Sequence, residues 1–486
     1  MSRRTLRQRY RLIVGYTGLI GLIIGAVMLM PLLALLFYPN EGPLAWGFWL
    51  PGGILIGVGL VLWRSLPHSA TGDLSLTDAA VIVLLAWLLA IAAGTVPFMA
   101  VGGLSLTQAV FESTSGWTTT GLSVVDVERA SHVLLLFRSL AQLFGGAGFA
   151  IVALSAIAGP LATELPTAEG RTEQLVPNIQ RSAKWVLRLY AAYVGIGFGL
   201  LRWAGMDTFD ALNHAFAALS TGGFSTRYDS IASWQQPAVE WVTIGLMLLG
   251  SLNYVTSYLA LTGQFRAVWR NSELRMQVYL VGIAVALLAV TRPAADWDYS
   301  WRTASFAVVT SLSTTGFSTA DYSSWQGLGQ WLTVLLMMVG GHTGSTAGGL
   351  KLYRIYVLYQ AILWEIKRQF LPAHAITEVS LWQGEVRRFL NDRQLLKICL
   401  YVILYLVVLA IGTGVLTAYG NALQSSLFEY VSALSTVGLS VGITRESAPL
   451  GVLWVEIVGM LLGRLEITVV LVGALRIARD ASHLRD

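Results

Sequence analysis

The chain has 486 residues, 55% of them apolar and 12% charged, with a net charge of +5 and a mean hydropathy of +0.63. Soluble domains average about 25% charged residues, so this composition excludes a soluble globular protein and places the chain in a bilayer. The positive balance does not point to nucleic acid, because the basic residues gather at the ends of apolar runs, as they do on the cytoplasmic side of membrane proteins.

The N-terminal MSRRTLRQRYR leads into an apolar run longer than a signal-peptide core and is read as a retained first helix. A spanning helix needs about 20 mostly apolar residues. Ten stretches qualify, near 11–38, 44–63, 75–98, 131–158, 183–204, 236–263, 274–292, 327–358, 395–418 and 447–477. Between members of the last eight lie four shorter helical patterns, near 105–117, 208–219, 301–312 and 423–434, too short to span. The expected fold is all-α and integral to the membrane: ten transmembrane helices, with two N-terminal helices followed by four helix–half-helix–loop–helix units. The divisions fall at 1–70, 71–165, 166–265, 266–372 and 373–486.

The basic groups fix an orientation. They are Arg3, Arg4, Arg7, Arg9 and Arg11; Arg64; Arg171, Arg181 and Lys184; Arg266, Arg270 and Arg275; Lys351 to Arg393; and Arg476, Arg479 and Arg485. With ten spans all of them share one side, the cytoplasm, and both termini are cytoplasmic. The segment 359–392 mixes charge and aromatics. It reads either as a solvated helix lying on anionic lipid or as a docking surface for a cytosolic subunit. The single cysteine, Cys399, sits in an apolar run as a small hydrophobe.

Each half-helix runs into the same hexapeptide, Thr/Ser-Thr-x-Gly-Leu/Phe-Ser, with glycines at Gly121, Gly223, Gly316 and Gly438. Counted from that glycine, position −2 is always Thr (Thr119, Thr221, Thr314, Thr436) and position +2 always Ser (Ser123, Ser225, Ser318, Ser440). Position −1 varies as Thr120, Gly222, Thr315 and Val437, and position −9 as Glu112, His214, Ala307 and Glu429. A cation exchanges its hydration waters for oxygens at small cost when backbone carbonyls form rings. Glycine lets the backbone turn its carbonyls inward, and each half-helix aims its negative dipole end at the ion. A variable −1 side chain means the shared ligands are main-chain oxygens. One such loop alone is an ordinary turn; four in register, each between spanning segments, make a pore with pseudo-fourfold symmetry. Asp126, Asp229, Asp321 and Glu446 follow the loops and read as a cation-attracting outer ring or as plain loop solvation.

The eighth span breaks at Gly340-Gly341-His342-Thr343-Gly344-Ser345-Thr346-Ala347-Gly348-Gly349, a poor helix former. Its freed backbone must meet water or protein, and it is read as a gate beneath the filter; close small-residue packing is the alternative. Arg464, mid-span in the last helix, is an intramembrane charge that faces a cavity or partner. It reads as an electrostatic barrier, or as a structural pair with Glu466 or backbone carbonyls. Asn253 is a weaker candidate for holding the gate loop. The six histidines show no metal spacing, and the Gly438-Leu439-Ser440-Val441-Gly442 match to a hydrolase elbow lacks the α/β setting that motif needs. An enzyme is therefore not expected.

FESTSGWTTTGLS, ALSTGGFS, SLSTTGFS and ALSTVGLS, with GGHTGSTAGGLK and LLGRLEI, resemble the Trk/Ktr/HKT superfamily of potassium transporters, its TrkH type above all, over essentially the whole chain. The resemblance implies K⁺ as permeant ion and no cofactor in this chain. It implies a homodimer in the bacterial inner membrane and a cytosolic ring of nucleotide-binding TrkA-type subunits. Gly121 fits the K⁺-selective pattern, since relatives with Ser there pass Na⁺. Ala347 and His342 depart from a stretch that is otherwise richer in glycine and small residues. The alternative within the same fold is a Na⁺-permeable or Na⁺/H⁺-coupled K⁺ symporter.

Overall fold

The computed structural model describes residues 3–65, 75–147, 179–291, 297–325, 327–372, 380–383 and 386–485. The expected continuation of the fourth span over 148–158, the basic residue Arg171 and the boundary at 165 lie outside the described residues. Helices α1 (Arg3–Leu29) and α2 (Trp46–Arg64) pack along each other beside the first unit. That unit comprises α3 (Leu76–Ala100), the half-helix α4 (Leu106–Trp117) and α5 (His132–Ala147). The second has α6 (Ile179–Trp203), the half-helix α7 (Thr208–Leu219), α8 (Pro237–Ser251), α9 (Tyr254–Leu261) and α10 (Phe265–Arg270). The third has α11 (Ser272–Thr291), α12 (Trp297–Leu312), α13 (Leu328–Val339) and α14 (Leu352–Arg368). The fourth has α15 (Asp392–Ala418), the half-helix α16 (Leu423–Leu434), α17 (Leu450–Arg464) and α18 (Ile467–Arg485).

The helix after each loop packs on the half-helix of the next unit: α5 on α7, α8 on α12, α13 on α16, and α17 on α4. The last contact, with α18 against α3, closes the four units into a ring. Outside that ring, large apolar side chains stay exposed along α2 (Trp49, Ile54, Val58, Val61), α11 (Tyr279, Ile283, Val290) and α15 (Leu400, Ile403, Val407, Ile411). In water such a continuous apolar exterior would aggregate; here it is the lipid-facing surface of a multi-pass membrane protein.

Among the described residues five helices are long and apolar enough to span, or up to seven if each of two bent pairs counts as one. The bends correct the sequence reading. The stretches 236–263 and 447–477 are not continuous spans: α8 and α9 meet at 114°, and α17 and α18 at 102°. Asn253 restarts the chain by accepting the Val255 N–H at 2.7 Å, an N-cap that ends one helix and begins another. Glu466 turns the second corner in the left-handed region, with φ of 60°. The break expected at 340–349 is present between α13 and α14. Among the described residues three units thus interrupt their second helix where the reading foresaw one. The segment 359–392 also differs: it stays helical only to Arg368 and then forms a two-stranded antiparallel hairpin, β1 (Ser380–Gln383) with β2 (Val386–Phe389), in which Ser380 faces Phe389. The β-branched and aromatic residues Trp382, Val386 and Phe389 supply the strand propensity of the hairpin.

Close backbone approach at glycine holds α17 against the fourth half-helix, where a methyl on Gly463 would strike the Leu434 carbonyl. Gly414, on the outer face of α15, has nothing within 4 Å. We expect Gly463→Ala to destabilise the detergent-solubilised protein by about 1–3 kcal/mol through overpacking, read as a lowered melting temperature. Gly414→Ala is expected to leave that temperature unchanged or raise it.

Candidate functional site

The four loops end their half-helices in the same way. In each, the −2 Thr N–H bonds the −5 carbonyl and the −1 N–H bonds the −6 carbonyl, as in Thr119 to Gly116 (3.1 Å) and Thr120 to Ser115 (2.9 Å). This is a Schellman cap, which normally places glycine at its left-handed position. Here that position is threonine: φ is 56° at Thr119, 52° at Thr221, 55° at Thr314 and 51° at Thr436. A β-branched residue in this region costs about 1–2 kcal/mol, and the cost is incurred four times. The following glycines are left-handed too, with φ of 93°, 73°, 86° and 96° at Gly121, Gly223, Gly316 and Gly438. The reading assigned the unusual backbone to glycine alone.

Those glycines bring the loops together. A Cβ on Gly121 would meet the Gly222 carbonyl, on Gly223 that of Thr315, on Gly316 that of Val437, and on Gly438 that of Thr120. Each contact joins one loop to the −1 carbonyl of the next, and the last returns to the first. All twelve predicted residues at −2, −1 and 0 are therefore brought into one ring around a common axis. Above it opens a vestibule enclosing about 1580 Å³, part of it open solvent, whose floor is the four glycines.

Behind the ring each loop has different supports. At −9, Glu112 accepts from Ser123 Oγ (2.9 Å) and Val124 N (3.0 Å), and Glu429 from Ser440 Oγ (2.6 Å), Val441 N (2.9 Å) and Thr444 N (2.9 Å). His214 Nε2 lies 2.9 Å from Ser225 Oγ. In the third unit Ala307 can do none of this, and Ser318 N donates instead to Ser230 Oγ of the second unit (3.2 Å). The invariant +2 serine is thus anchored in every quarter. At −6, Ser115, Thr310 and Ser432 hold their loops through hydroxyl bonds to the backbone at 0 or +1.

The sequence reading gave α5 only as part of a span and singled out none of its residues. Its residues Arg138, Gln142, Gly145 and Gly146 follow a helical spacing; Arg138, Gln142 and Gly146 reach the second loop, and Gly145 packs on the Trp117 carbonyl at the end of the first half-helix. Arg138 forms a buried pair with Glu112 (2.9 Å) and donates to Ser225 O (3.0 Å) and Ser123 Oγ (2.8 Å). A polar stripe at i, i+4, i+7, i+8 in an apolar helix was the available signal.

The outer acids do not form a fourfold ring. Asp229 and Asp321 line the vestibule, beside Arg138 and Arg227. Asp126 pairs with Arg129 at 3.3 Å, and Glu446 is not on the lining. Hydrogen bonds from Ser323 hold the exposed Asp321 carboxyl below its usual pKa, so it stays anionic at neutral pH.

Beneath the ring, the 340–349 segment touches three of the four threonines. Thr221 Oγ1 lies 3.1 Å from Thr346 Oγ1, and Thr314 Oγ1 accepts the Gly348 N–H at 2.7 Å. A Cβ on Gly348 would meet Thr436 Oγ1 and Ser435 O. Thr119 and Thr436 keep buried hydroxyls with no partner among the described residues. The segment is tied at several points. Asn253 Nδ2 donates to Thr343 O (2.5 Å), Glu273 accepts from Thr343 N (2.9 Å), His342 Nε2 lies 2.8 Å from Gln277 Oε1, and Lys351 donates to Ala347 O. Arg464 donates to Thr346 O (2.7 Å), Gly145 O (2.6 Å) and Gly146 O (2.9 Å). Glu466 instead pairs with Arg354 at 2.6 Å. Arg464 thus reaches backbone carbonyls, one of the two structural partners weighed for it.

A multi-pass helical membrane protein whose four loops meet in one ring is, as a class, a membrane transport protein. The profile of the TrkH family, described as cation transport protein, matches residues 52–483, and the chain belongs to that family. It is 30% identical over 485 residues to the Trk system potassium uptake protein TrkH of Escherichia coli K12, covering 95% of this chain and 98% of the relative. It is also 30% identical to an uncharacterized cation transporter of Methanocaldococcus jannaschii, covering 93% and 92%. The crystal structure of the potassium transporter TrkH from Vibrio parahaemolyticus superposes with a TM-score of 0.81 at 27% identity, over 95% of this chain and 98% of that one.

Arg138 and Glu112 are 2% and 0% exposed, so removing one strands a buried charge. Arg138→Met is expected to destabilise by about 3–5 kcal/mol, seen as a large fall in melting temperature. Glu112→Gln added to it is expected to restore much of the loss.

Proposed function

We propose that this chain takes up K⁺ across the bacterial inner membrane, passing the ion through the ring of four loops. The observation that carries the reading is the closed cycle of glycine-to-carbonyl contacts, one per unit. Each −1 carbonyl sits where four oxygens can replace part of a hydration shell, and the half-helix ends add negative potential. The twelve residues of the ring, Thr119–Gly121, Thr221–Gly223, Thr314–Gly316 and Thr436–Gly438, are the K⁺ site. The −2 hydroxyls supply further oxygens at its inner end, and the unpartnered Thr119 and Thr436 suit that use. The 340–349 segment is the gate: it lies against three of those hydroxyls and belongs to one unit only. Arg464 holds it shut through Thr346 and adds a positive charge beneath a cation path. Basic helix ends place both termini in the cytoplasm. In keeping with relatives named for a Trk system, the chain works as a homodimer with a cytosolic, nucleotide-binding TrkA-type subunit.

The test is flux into proteoliposomes containing only this protein, with K⁺, Rb⁺, Na⁺ and Li⁺ compared with and without a proton gradient. K⁺ and Rb⁺ flux above Na⁺, independent of protons, is expected; equal Na⁺ flux or strict dependence on a second ion would replace the K⁺-pore reading with the coupled alternative. Arg464→Ala, and deletion of Thr343 to Ala347, are each expected to raise K⁺ flux several-fold. Normal folding with unchanged or lower flux would refute the gate.

A further inference from the structure

The ring is symmetric in its contacts but not in how its four carbonyls are held. In the first and third quarters the −1 residue is threonine, whose hydroxyl bonds the −3 hydroxyl behind the loop: Thr118 to Thr120 at 2.8 Å, Ser313 to Thr315 at 2.7 Å. In the fourth, Tyr405 bonds Ser435 at 2.6 Å behind Val437. The second quarter has neither device. Its −6 residue is Ala217, without a hydroxyl, and its −1 residue is Gly222, without a side chain. The space is filled from the first unit by Gln142. Its Nε2 donates to Gly222 O at 2.5 Å and its Oε1 accepts from Phe224 N at 3.1 Å, so one amide spans the loop. A Cβ on Gly222 would collide with that amide, its Nε2 2.8 Å away. Glutamine at 142 therefore requires glycine at this −1 position.

The bond engages a ring oxygen itself, unlike the supports elsewhere. A carbonyl that already accepts an N–H presents less negative potential to a cation and moves less. Both properties bear on ion preference, because stronger, more mobile oxygens favour smaller ions. We propose that Gln142 is a positioning residue that sets the ring's preference for the larger alkali cations by holding and partly neutralising the Gly222 carbonyl. The inference rests on the reading of the ring as an ion filter and deepens it.

The test uses the full chain in proteoliposomes. Gln142→Met removes the amide at similar volume, and Gln142→Met/Ala217→Ser also restores a −6 hydroxyl of the kind the other quarters use, without a donor to Gly222 O. The Na⁺/K⁺ flux ratio of the double variant is expected to rise about five-fold, the scale of one lost net hydrogen bond, with folding near normal. A second pair, Gln142→Ala/Gly222→Thr, rebuilds the chemistry of the first and third quarters, and its ratio is expected to rise likewise, whereas Gly222→Thr alone is expected not to fold. A wild-type ratio in the double variants overturns the proposal and leaves Gln142 a loop strut, as does failure of both to fold. Gly316→Ala separates the two levels: if it too leaves flux and ratio unchanged, the filter reading itself fails.

Discussion

Everything else in this molecule is arranged around a backbone that alone would not adopt its shape. At each half-helix end a threonine and then a glycine take left-handed conformations in succession. Glycine in the threonine position would relieve the strain but would remove the hydroxyl that points beneath the ring. Four such ends are held only because each is clamped on several sides. The half-helix is fixed by the preceding unit's second helix, the +2 serine by a buried group, and the glycine by the neighbouring loop's carbonyl. The strain is stored where the surroundings over-determine it, as at functional sites generally.

The clamps explain the buried polar groups. Glu112, Arg138, His214 and Glu429 are almost fully enclosed, and such groups are tolerated only with their bonding capacity met. Each meets it by fastening a loop. The same logic runs below the ring, where Asn253, Glu273 and Arg464 satisfy carbonyls and amides freed by the broken helices. Broken helices at membrane depth and buried charge are thus two halves of one solution.

Much of this was legible in the sequence. The four hexapeptides gave the loops, the half-helix bounds fell within a few residues for three of the four, and the glycine-rich run gave the interruption after Val339. What escaped had weaker local signals. Nothing in the Thr/Ser-Thr-x-Gly-Leu/Phe-Ser spacing says that threonine rather than glycine occupies the left-handed cap, because that depends on what the hydroxyl meets. The bends after Ser251 and Arg464 carry no glycine run, only Asn253 and Glu466, and hydropathy averages across them. The hairpin at 380–389 sits in a charged stretch that helix and strand patterns share. Gln142 and Ala217 are informative only when the four units are laid side by side, since the missing hydroxyl of one is answered by a side chain of another.

The segment beneath the ring comes from the third unit alone, although the ring above it has contributions from all four. In an assembly of four identical chains, opening requires several equivalent parts to move, and open probability varies steeply with the stimulus. Here a single element lies against the underside of the ring. Under the proposed gating, its displacement is one conformational event with one equilibrium constant, which predicts a graded, non-cooperative opening.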